Sequence, residues 1–143
     1  MLSLKISQEQ WPLRKSFTIS RGSLTTSYIL VVEIRDGIYC GRGECEPHES
    51  DSTQMAVVAG IIEQLRPRIE QGISAEELQA LLPAGPARNA LDCALWDLAA
   101  KKSGKRAWEL AGVALNASLQ TAYTLTIDSP EQMANDAREH RHK

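Results

Sequence analysis

Several classes of protein are excluded by what this sequence lacks. No stretch gathers lysine and arginine into a dense block, and 16 basic against 18 acidic residues give a net charge of -2, so nucleic acid is not expected as the main partner. No apolar run approaches the roughly 18 residues of a membrane span. Residues 1–8 alternate apolar and polar side chains instead of forming a signal peptide. We therefore expect a cytoplasmic protein that contacts neither nucleic acid nor membrane.

Cysteine and aromatic residues are also scarce. Cys40, Cys45 and Cys93 are an odd number without a CxxC pair, which predicts reduced thiols used in packing and not a disulfide framework. Aromatic residues make up 5% of the chain, whereas the apolar fraction of 43% and the charged fraction of 24% are ordinary for soluble proteins. A domain of this size buries roughly 70% of its unfolded surface, so the composition predicts a globular fold.

The first third of the chain has the pattern of a small antiparallel sheet. Apolar and polar residues alternate from Leu2 to Trp11, and residues 27–35 are dense in β-branched side chains. Asp36-Gly37 follows directly, and this dipeptide between two apolar runs is a strong hairpin signal. The pattern predicts about three strands.

Helical periodicity begins near residue 51. Apolar residues recur there at spacings of three and four, and Pro67 is expected to kink or end the helix. A capping box, Ser74 with Glu77, predicts a second helix that runs to about Leu82. A third helix, capped by Gly104, carries one apolar stripe, and a short turn at residues 108–111 follows it. The stripe consists of Ala87, Ala90, Leu91, Ala94, Leu95, Leu98 and Ala99.

The last part of the chain changes character again. Residues 119–127 alternate like a strand, and Ser129-Pro130 predicts a new helix start. This order of elements predicts an α+β domain that leads into a βα repeat. Because a single βα unit cannot bury its own strand, we expect the chain to be the front portion of a larger α/β enzyme.

Two groups of cysteine and histidine residues contain side chains that can bind a metal. Cys40 and Cys45 are expected on opposite faces of a strand, which argues against a metal site with His48. His140 and His142 stand two apart on a helix and are expected to face solvent.

Acidic side chains also occur in groups that carry no known motif. Asp92 and Asp97 are expected in surface or interdomain salt bridges. Four more carboxylates lack the ligand pattern of an EF-hand and are expected in a solvated loop. These are Glu44, Glu46, Glu49 and Asp51.

Seven short segments, in this order and spacing, carry a family resemblance. They are residues 11–17 (WPLRKSF) with 19–22 (ISRG), 41–45 (GRGEC), 82–85 (LPAG) with 87–98 (ARNALDCALWDL), 121–124 (TAYT) and 129–133 (SPEQM). Together they resemble the N-terminal portion of the enolase superfamily, in its mandelate racemase and muconate lactonizing enzyme branch, and in particular the dipeptide (L-Ala-D/L-Glu) epimerases. The resemblance implies an enolase-type capping domain over residues 1–115, with a three-stranded antiparallel sheet plus helices. Residues 116–143 would begin a truncated (β/α) barrel with its first β/α unit.

The same resemblance implies a chemistry. Enzymes of this superfamily are Mg²⁺-dependent, abstract an α-proton with a lysine or histidine base and stabilise an ene-diolate. The catalytic lysines and the metal ligands are implied beyond residue 143, so no catalytic and no metal residue is assigned here and the chain itself is expected to be inactive. Two substrate-binding residues are implied, Arg21 for the glutamate carboxylate and Thr124 at the end of the first barrel strand.

The partners implied are a small acidic dipeptide, as in murein peptide metabolism, with a homo-oligomer left open. Residues 48–53 depart from the family by being more acidic, which bears on dipeptide specificity. Two alternatives stay open. One is another enzyme of the superfamily, such as a muconate cycloisomerase, succinylbenzoate synthase or acid-sugar dehydratase, and the other is a non-catalytic α+β binding module.

Overall fold

The computed structural model of the protein describes residues 1–47, 52–114, 118 and 120–141. The chain divides into two compact units: unit 1 comprises residues 1–10 and 28–115, and unit 2 comprises residues 11–27 and 116–143. The first two strands are long enough to contribute to both units. The predicted division into a capping domain over residues 1–115 and a barrel start over residues 116–143 stays a prediction.

A three-stranded antiparallel sheet forms from the first 45 residues, as predicted. Its strands, in the order β1-β2-β3, are β1 Ser3–Ile19, β2 Gly22–Asp36 and β3 Tyr39–Cys45. In the hairpin of β2 and β3, Leu30 lies opposite Cys45. Gly37 adopts a φ of 58° in the turn, which is the left-handed conformation that the Asp-Gly signal requires. Strand β1 continues to Ile19, well beyond the predicted end at Trp11.

Six helices follow in the described residues: α1 Ser52–Gln64, α2 Arg66–Glu70, α3 Ala75–Leu81, α4 Pro86–Ser103, α5 Ala107–Leu110 and α6 Pro130–His140. The predicted break at Pro67 is confirmed, because Pro67 lies in the first turn of α2, where its missing N–H is tolerated. No helix in this described part is long and apolar enough to cross a membrane.

The predicted helix ends are confirmed. The Ser74 hydroxyl accepts a hydrogen bond from the Glu77 N–H at 3.1 Å, and the Glu77 carboxylate accepts one from the Ser74 N–H at 2.9 Å. Gly104 ends α4 with a φ of 67°. At the start of α6, the Ser129 hydroxyl accepts a hydrogen bond from the Gln132 N–H at 3.2 Å.

The core of unit 1 lies between the sheet and helices α1 to α4. Side chains of α4 pack along β3, and the predicted stripe is confirmed except at one end. Ala99 is exposed while Leu98 is buried, because a turn of about 100° per residue carries position 99 out of the contact face. The core consists of Leu4, Leu30, Val32, Ile34, Cys45, Met55, Val58, Ile62, Ile69, Ile73, Leu78, Ala87, Ala90, Leu91, Ala94 and Leu98.

Two glycines of β3 permit this close packing of helix on strand. A Cβ atom on Gly41 would overlap the Ala94 carbonyl oxygen, and one on Gly43 would overlap the Ala90 carbonyl oxygen. Because the obstacle in both cases is helix backbone, no rotamer change could relieve it. The Gly-x-Gly pattern of residues 41–43 is therefore a steric requirement of this contact.

Unit 2 contains residues 11–19 of β1 and 22–27 of β2 together with α6. The predicted strand over residues 119–127 is wrong for the described residues 120–127, which have no regular secondary structure, and Leu119 lies outside the described residues. A strand needs neighbours that accept its backbone hydrogen bonds. Here the Ile127 N–H donates to the Thr18 carbonyl at 2.9 Å, and no strand ladder extends from that bond within the described residues.

Candidate functional site

Arg21 lies at the tip of a two-stranded arm, which we define as residues 11–27 of β1, β2 and the turn between them. The turn is formed by Ser20 and Arg21, and Arg21 is exposed. Within the described residues, its guanidinium makes no hydrogen bond or ion pair. A planar cation with five donors is thus presented at the end of the arm, where it is available to an anion.

Thr124 also belongs to unit 2 and is exposed. Its hydroxyl forms no side-chain hydrogen bond with any described residue. The structure therefore places the two predicted substrate-binding residues in one unit, and no hydrogen bond joins them in the part of the chain that it describes.

A cluster of hydroxyl groups below the tip was not predicted. The Ser23 hydroxyl on β2 lies 2.6 Å from the Ser16 hydroxyl and 2.8 Å from the Thr18 hydroxyl, both on β1. Thr126 Oγ1 accepts a hydrogen bond from the Thr18 N–H at 2.6 Å. The alternation of Ser16 and Thr18 on one strand with Ser23 on the next is a sequence signal for cross-strand hydroxyl pairs that could have indicated this cluster.

A second unpredicted contact joins the arm to α6. Asp136 is 8% exposed, and its carboxylate accepts hydrogen bonds from the Lys15 ammonium at 3.3 Å and from the Gln132 amide at 2.9 Å. These two donors, Gln132 first and then Lys15, hold the pKa of Asp136 below its usual value. No sequence signal indicated this pair, because Lys15 and Asp136 are 121 residues apart.

Contrary to the prediction, His140 does not face solvent. It is half-buried, and its ring stacks on Tyr123 with 4.0 Å between ring centroids and 29° between ring planes. Its Nδ1 atom is enclosed and has no hydrogen-bond partner among the described residues. The sequence did not indicate this contact, because the alternating pattern of residues 119–127 placed Tyr123 in a predicted barrel strand. His142 lies outside the described residues.

The cysteines are free thiols, as predicted, but their environments differ. Cys45 is buried in the core, and burial raises the pKa of its thiol to about 11. Cys40 is half-buried. Cys93 is exposed on α4, so the predicted packing role is wrong there. No group of three or more His, Cys, Asp or Glu side chains in the described ranges is arranged to hold a metal ion.

The remaining acidic residues divide between exposed and structural positions. Asp97 pairs with Lys101 at 2.5 Å and accepts the Arg42 N–H at 2.8 Å, which confirms the predicted salt bridge and ties α4 to β3. Asp92 differs from the prediction, since its Oδ1 is buried without a partner among described residues. Glu44 and Glu46 are exposed as predicted, but Glu44 lies in strand β3 and not in a loop. Three predicted site residues, His48, Glu49 and Asp51, lie outside the described residues.

A cleft of about 920 Å³ opens in unit 1, beside α4 and the start of α3. Its walls are largely apolar, with Leu95, Trp96 and Leu98 on one side. An ion pair between Lys102 and Asp36 lies at its edge, and Lys102 holds the pKa of Asp36 below its usual value. Every lining residue belongs to unit 1, so the cleft contains neither Arg21 nor Thr124.

The family of the chain is shown by comparison with known proteins. The N-terminal domain of the mandelate racemase and muconate lactonizing enzymes matches residues 1–112. The chain belongs to this family, and the predicted enolase-type capping domain is confirmed by its sheet and helices.

Particular relatives are dipeptide epimerases. The chain is 44% identical over 141 residues to the L-Ala-D/L-Glu epimerase of Escherichia coli K12, covering 96% of this chain and 43% of that enzyme. An enolase family member from Agrobacterium tumefaciens with homology to dipeptide epimerases, solved with sodium and L-Ala-L-Glu, superposes with a TM-score of 0.85 at 40% identity, covering 99% and 44%. A dipeptide epimerase of Methylococcus capsulatus, complexed with Mg and L-Arg-D-Lys, superposes with a TM-score of 0.74 at 30% identity, covering 99% and 43%. The chain thus spans less than half the length of these relatives.

Proposed function

We propose that the protein acts as a Mg²⁺-dependent dipeptide epimerase of the enolase superfamily. The reaction is removal of the α-proton of the second residue of a small acidic dipeptide and its return on the other face, through an ene-diolate. The observation that carries this proposal is the 44% identity to the L-Ala-D/L-Glu epimerase across 96% of the chain. Because the chain spans 43% of that relative, the activity is proposed for the whole protein.

Arg21 supports an acidic substrate. Its exposed guanidinium lacks a partner in the described residues, and a bidentate pair with a carboxylate is the strong form of charge-assisted hydrogen bond. The Methylococcus capsulatus relative binds a dipeptide of two basic residues on the same fold, so the fold does not set the charge of the substrate. We propose that Arg21 does so here and that the Thr124 hydroxyl contacts the same substrate.

Mg²⁺ is proposed because the Methylococcus capsulatus relative was solved with it. When bound, the ion neutralises charge that develops on the substrate carboxylate as the α-proton leaves. The described residues provide no cluster of ligands for it, so we assign no metal ligand and no catalytic base among them. The part that this chain plays in the reaction is to bind and orient the substrate.

The cellular context follows from the same proposal. Free thiols fit a reducing compartment, so we propose that the protein is cytoplasmic. An acidic dipeptide substrate fits a role in murein peptide metabolism. We also propose that the protein forms a homo-oligomer and that its capping domain ends at residue 115.

The direct test follows the α-proton. The whole protein with Mg²⁺ in D₂O is expected to exchange the glutamate α-proton of L-Ala-L-Glu and L-Ala-D-Glu for deuterium, measured by proton NMR. Exchange that is confined to muconate-type or acid-sugar substrates would favour another enzyme of the superfamily. No exchange with any of these substrates would favour a binding module.

Arg21→Ala tests the role of the side chain. Loss of a hydrogen bond to a charged group is expected to raise KM for L-Ala-L-Glu about 10- to 100-fold with little change in kcat. Arg21→Lys keeps the charge but lacks the planar guanidinium. Its KM is expected to lie between those of wild type and Arg21→Ala. Arg14→Ala, which removes another exposed arginine of the arm, is the control, and an equal effect of the two alanine variants would remove Arg21 from the proposal.

A further inference from the structure

Among the described residues, little apolar burial supports the arm that carries Arg21. None of its residues, 11–27, is buried, and Trp11 and Leu13 remain 40% and 36% exposed. Polar contacts within unit 2 therefore contribute to the position of the tip.

The first of these contacts is made by Thr126 and Ile127 on the open edge of β1. Thr126 Oγ1 accepts the Thr18 N–H at 2.6 Å and lies 3.2 Å from the Ser16 carbonyl, to which its proton can be donated. The Ile127 N–H donates to the Thr18 carbonyl at 2.9 Å. Two consecutive residues thereby satisfy both backbone groups of Thr18, three positions before Arg21.

The second contact is made ten residues further along the chain. Lys15 of the arm reaches Asp136 at 3.3 Å, and Gln132 holds the same carboxylate at 2.9 Å. Asp136 is nearly enclosed, whereas the Lys15 side chain is 61% exposed. The ion pair is therefore partly screened by water.

The hydroxyl cluster transmits these restraints across the turn. Ser23, two residues after Arg21, bonds to both Ser16 and Thr18. Both strands that flank the tip are thus tied to the residues that Thr126 holds. A tip that is already restrained loses less conformational freedom when it binds a ligand.

We propose that Thr126 is a positioning residue for Arg21: its hydroxyl holds the arm through Thr18 and Ser16 and so sets the affinity for the acidic side chain of the substrate. The proposal rests on the proposed function, in which Arg21 binds a carboxylate. It assigns Thr126 no contact with the reacting atoms. Its effect should therefore appear in KM and not in kcat.

Two substitutions at one position separate the hydroxyl from the shape of the side chain. Thr126→Val keeps the branched shape but can neither accept the Thr18 N–H nor donate to the Ser16 carbonyl, whereas Thr126→Ser keeps the hydroxyl. Thr121→Val is the matched control, because the Thr121 hydroxyl bonds to its neighbour Ala122 and not to the arm. All three are made in the whole protein.

Steady-state kinetics with an acidic and a neutral dipeptide give the first readout. Thr126→Val is expected to raise KM for L-Ala-L-Glu roughly tenfold, the usual effect of one lost hydrogen bond to a buried or restrained group, with kcat within about twofold. KM for neutral L-Ala-L-Leu should not change, and Thr126→Ser should restore the KM for the acidic dipeptide. An equal rise in KM for both dipeptides, or a fall in kcat with no change in KM, would overturn the proposal.

Limited trypsin digestion gives a second readout that does not depend on activity. Trypsin cleaves after Arg21, and a loosened arm should expose this bond more often, so the peptide that ends at Arg21 should appear faster in Thr126→Val than in wild type or Thr121→Val. Unchanged cleavage would overturn the positioning role. Faster cleavage without a rise in KM would overturn its link to Arg21. A wild-type protein inactive on all dipeptides would overturn the proposed function, and digestion would still decide whether Thr126 holds the arm.

Discussion

Unit 1 and unit 2 are each stabilised by a different kind of force. Unit 1 has a continuous apolar core between a sheet and four helices. In the described part of unit 2 the buried residue is a carboxylate, Asp136, and apolar side chains such as Tyr123 and Ile127 stay 62% and 49% exposed. In the same described residues, hydrogen bonds of Thr126 and an ion pair of Lys15 join the arm to the segment of residues 120–141.

The difference has a functional meaning. Burial of apolar side chains is non-directional and provides most of the stability of a domain, so unit 1 is suited to be a scaffold. Polar contacts are weaker and depend on direction, so those of unit 2 favour one geometry of the arm. Binding residues are commonly placed on loops and turns, and Arg21, the proposed carboxylate-binding residue, lies in a turn.

The largest expected effect tests the core of unit 1. Leu91 is fully buried on α4, and Leu91→Ala is expected to lower the free energy of unfolding by about 2–5 kcal/mol because it leaves a cavity in close-packed surroundings. Leu13→Ala in the arm is expected to cost less than about 1 kcal/mol, since Leu13 is already 36% exposed. Urea unfolding measures both. Equal costs would show that unit 2 has a core comparable to that of unit 1.

A smaller effect is expected where α4 lies on β3. Gly43→Ala would push a Cβ into the Ala90 carbonyl, and overpacking of this kind costs about 1–3 kcal/mol or more. Gly60→Ala is the matched control, because Gly60 lies in α1 and a Cβ atom added there would have no neighbour within 4 Å. That change is expected to stabilise the protein by about 0.5–1 kcal/mol, the difference in helix propensity. Urea unfolding of the two variants in parallel should show opposite signs.

The two units also differ in how well the sequence predicts them. In unit 1, the alternation in β2, the Asp-Gly turn and the capping box of Ser74 each follow from residues close in sequence. Their structural causes are local, so the elements and their ends could be predicted. The need for glycine at positions 41 and 43 could not be predicted in this way, because it depends on Ala90 and Ala94, which lie about 50 residues away.

In unit 2, the local pattern misled the prediction. Residues 119–127 have the alternation of a strand, but alternation reports which faces are apolar and does not supply the neighbouring strands that a ladder needs. Arg21 and Thr124 were predicted through a family resemblance, which records the position of a residue and not what holds it. Thr126 and Asp136 depend on contacts with Thr18 and Lys15 across more than a hundred residues, and no spacing in the sequence indicates such pairs.

The smallest expected effect is on the response of unit 2 to acid. The pKa of Asp136 is lowered in the folded state by Gln132 and Lys15, so its contribution to stability is complete above the unfolded pKa of about 4 and is lost as the pH falls through the folded pKa. Amide hydrogen exchange in α6, corrected for the intrinsic rate at each pH, should accelerate a fewfold over that range, ahead of the amides of α4.

Asp136→Asn tests the origin of this response, because it removes the charge and keeps the shape of the side chain. Protection of α6 in this variant is expected to be lower at neutral pH and to change little between pH 5 and about 3, since the group that titrates is absent. The acid response of unit 1, where Arg35 and Arg66 lower the pKa of Glu33 and Glu63 respectively, should be unaffected. If α6 in the variant still lost protection in acid as wild type does, the Lys15–Asp136 pair would not be what fastens the arm, and the polar account of unit 2 would rest on Thr126 alone.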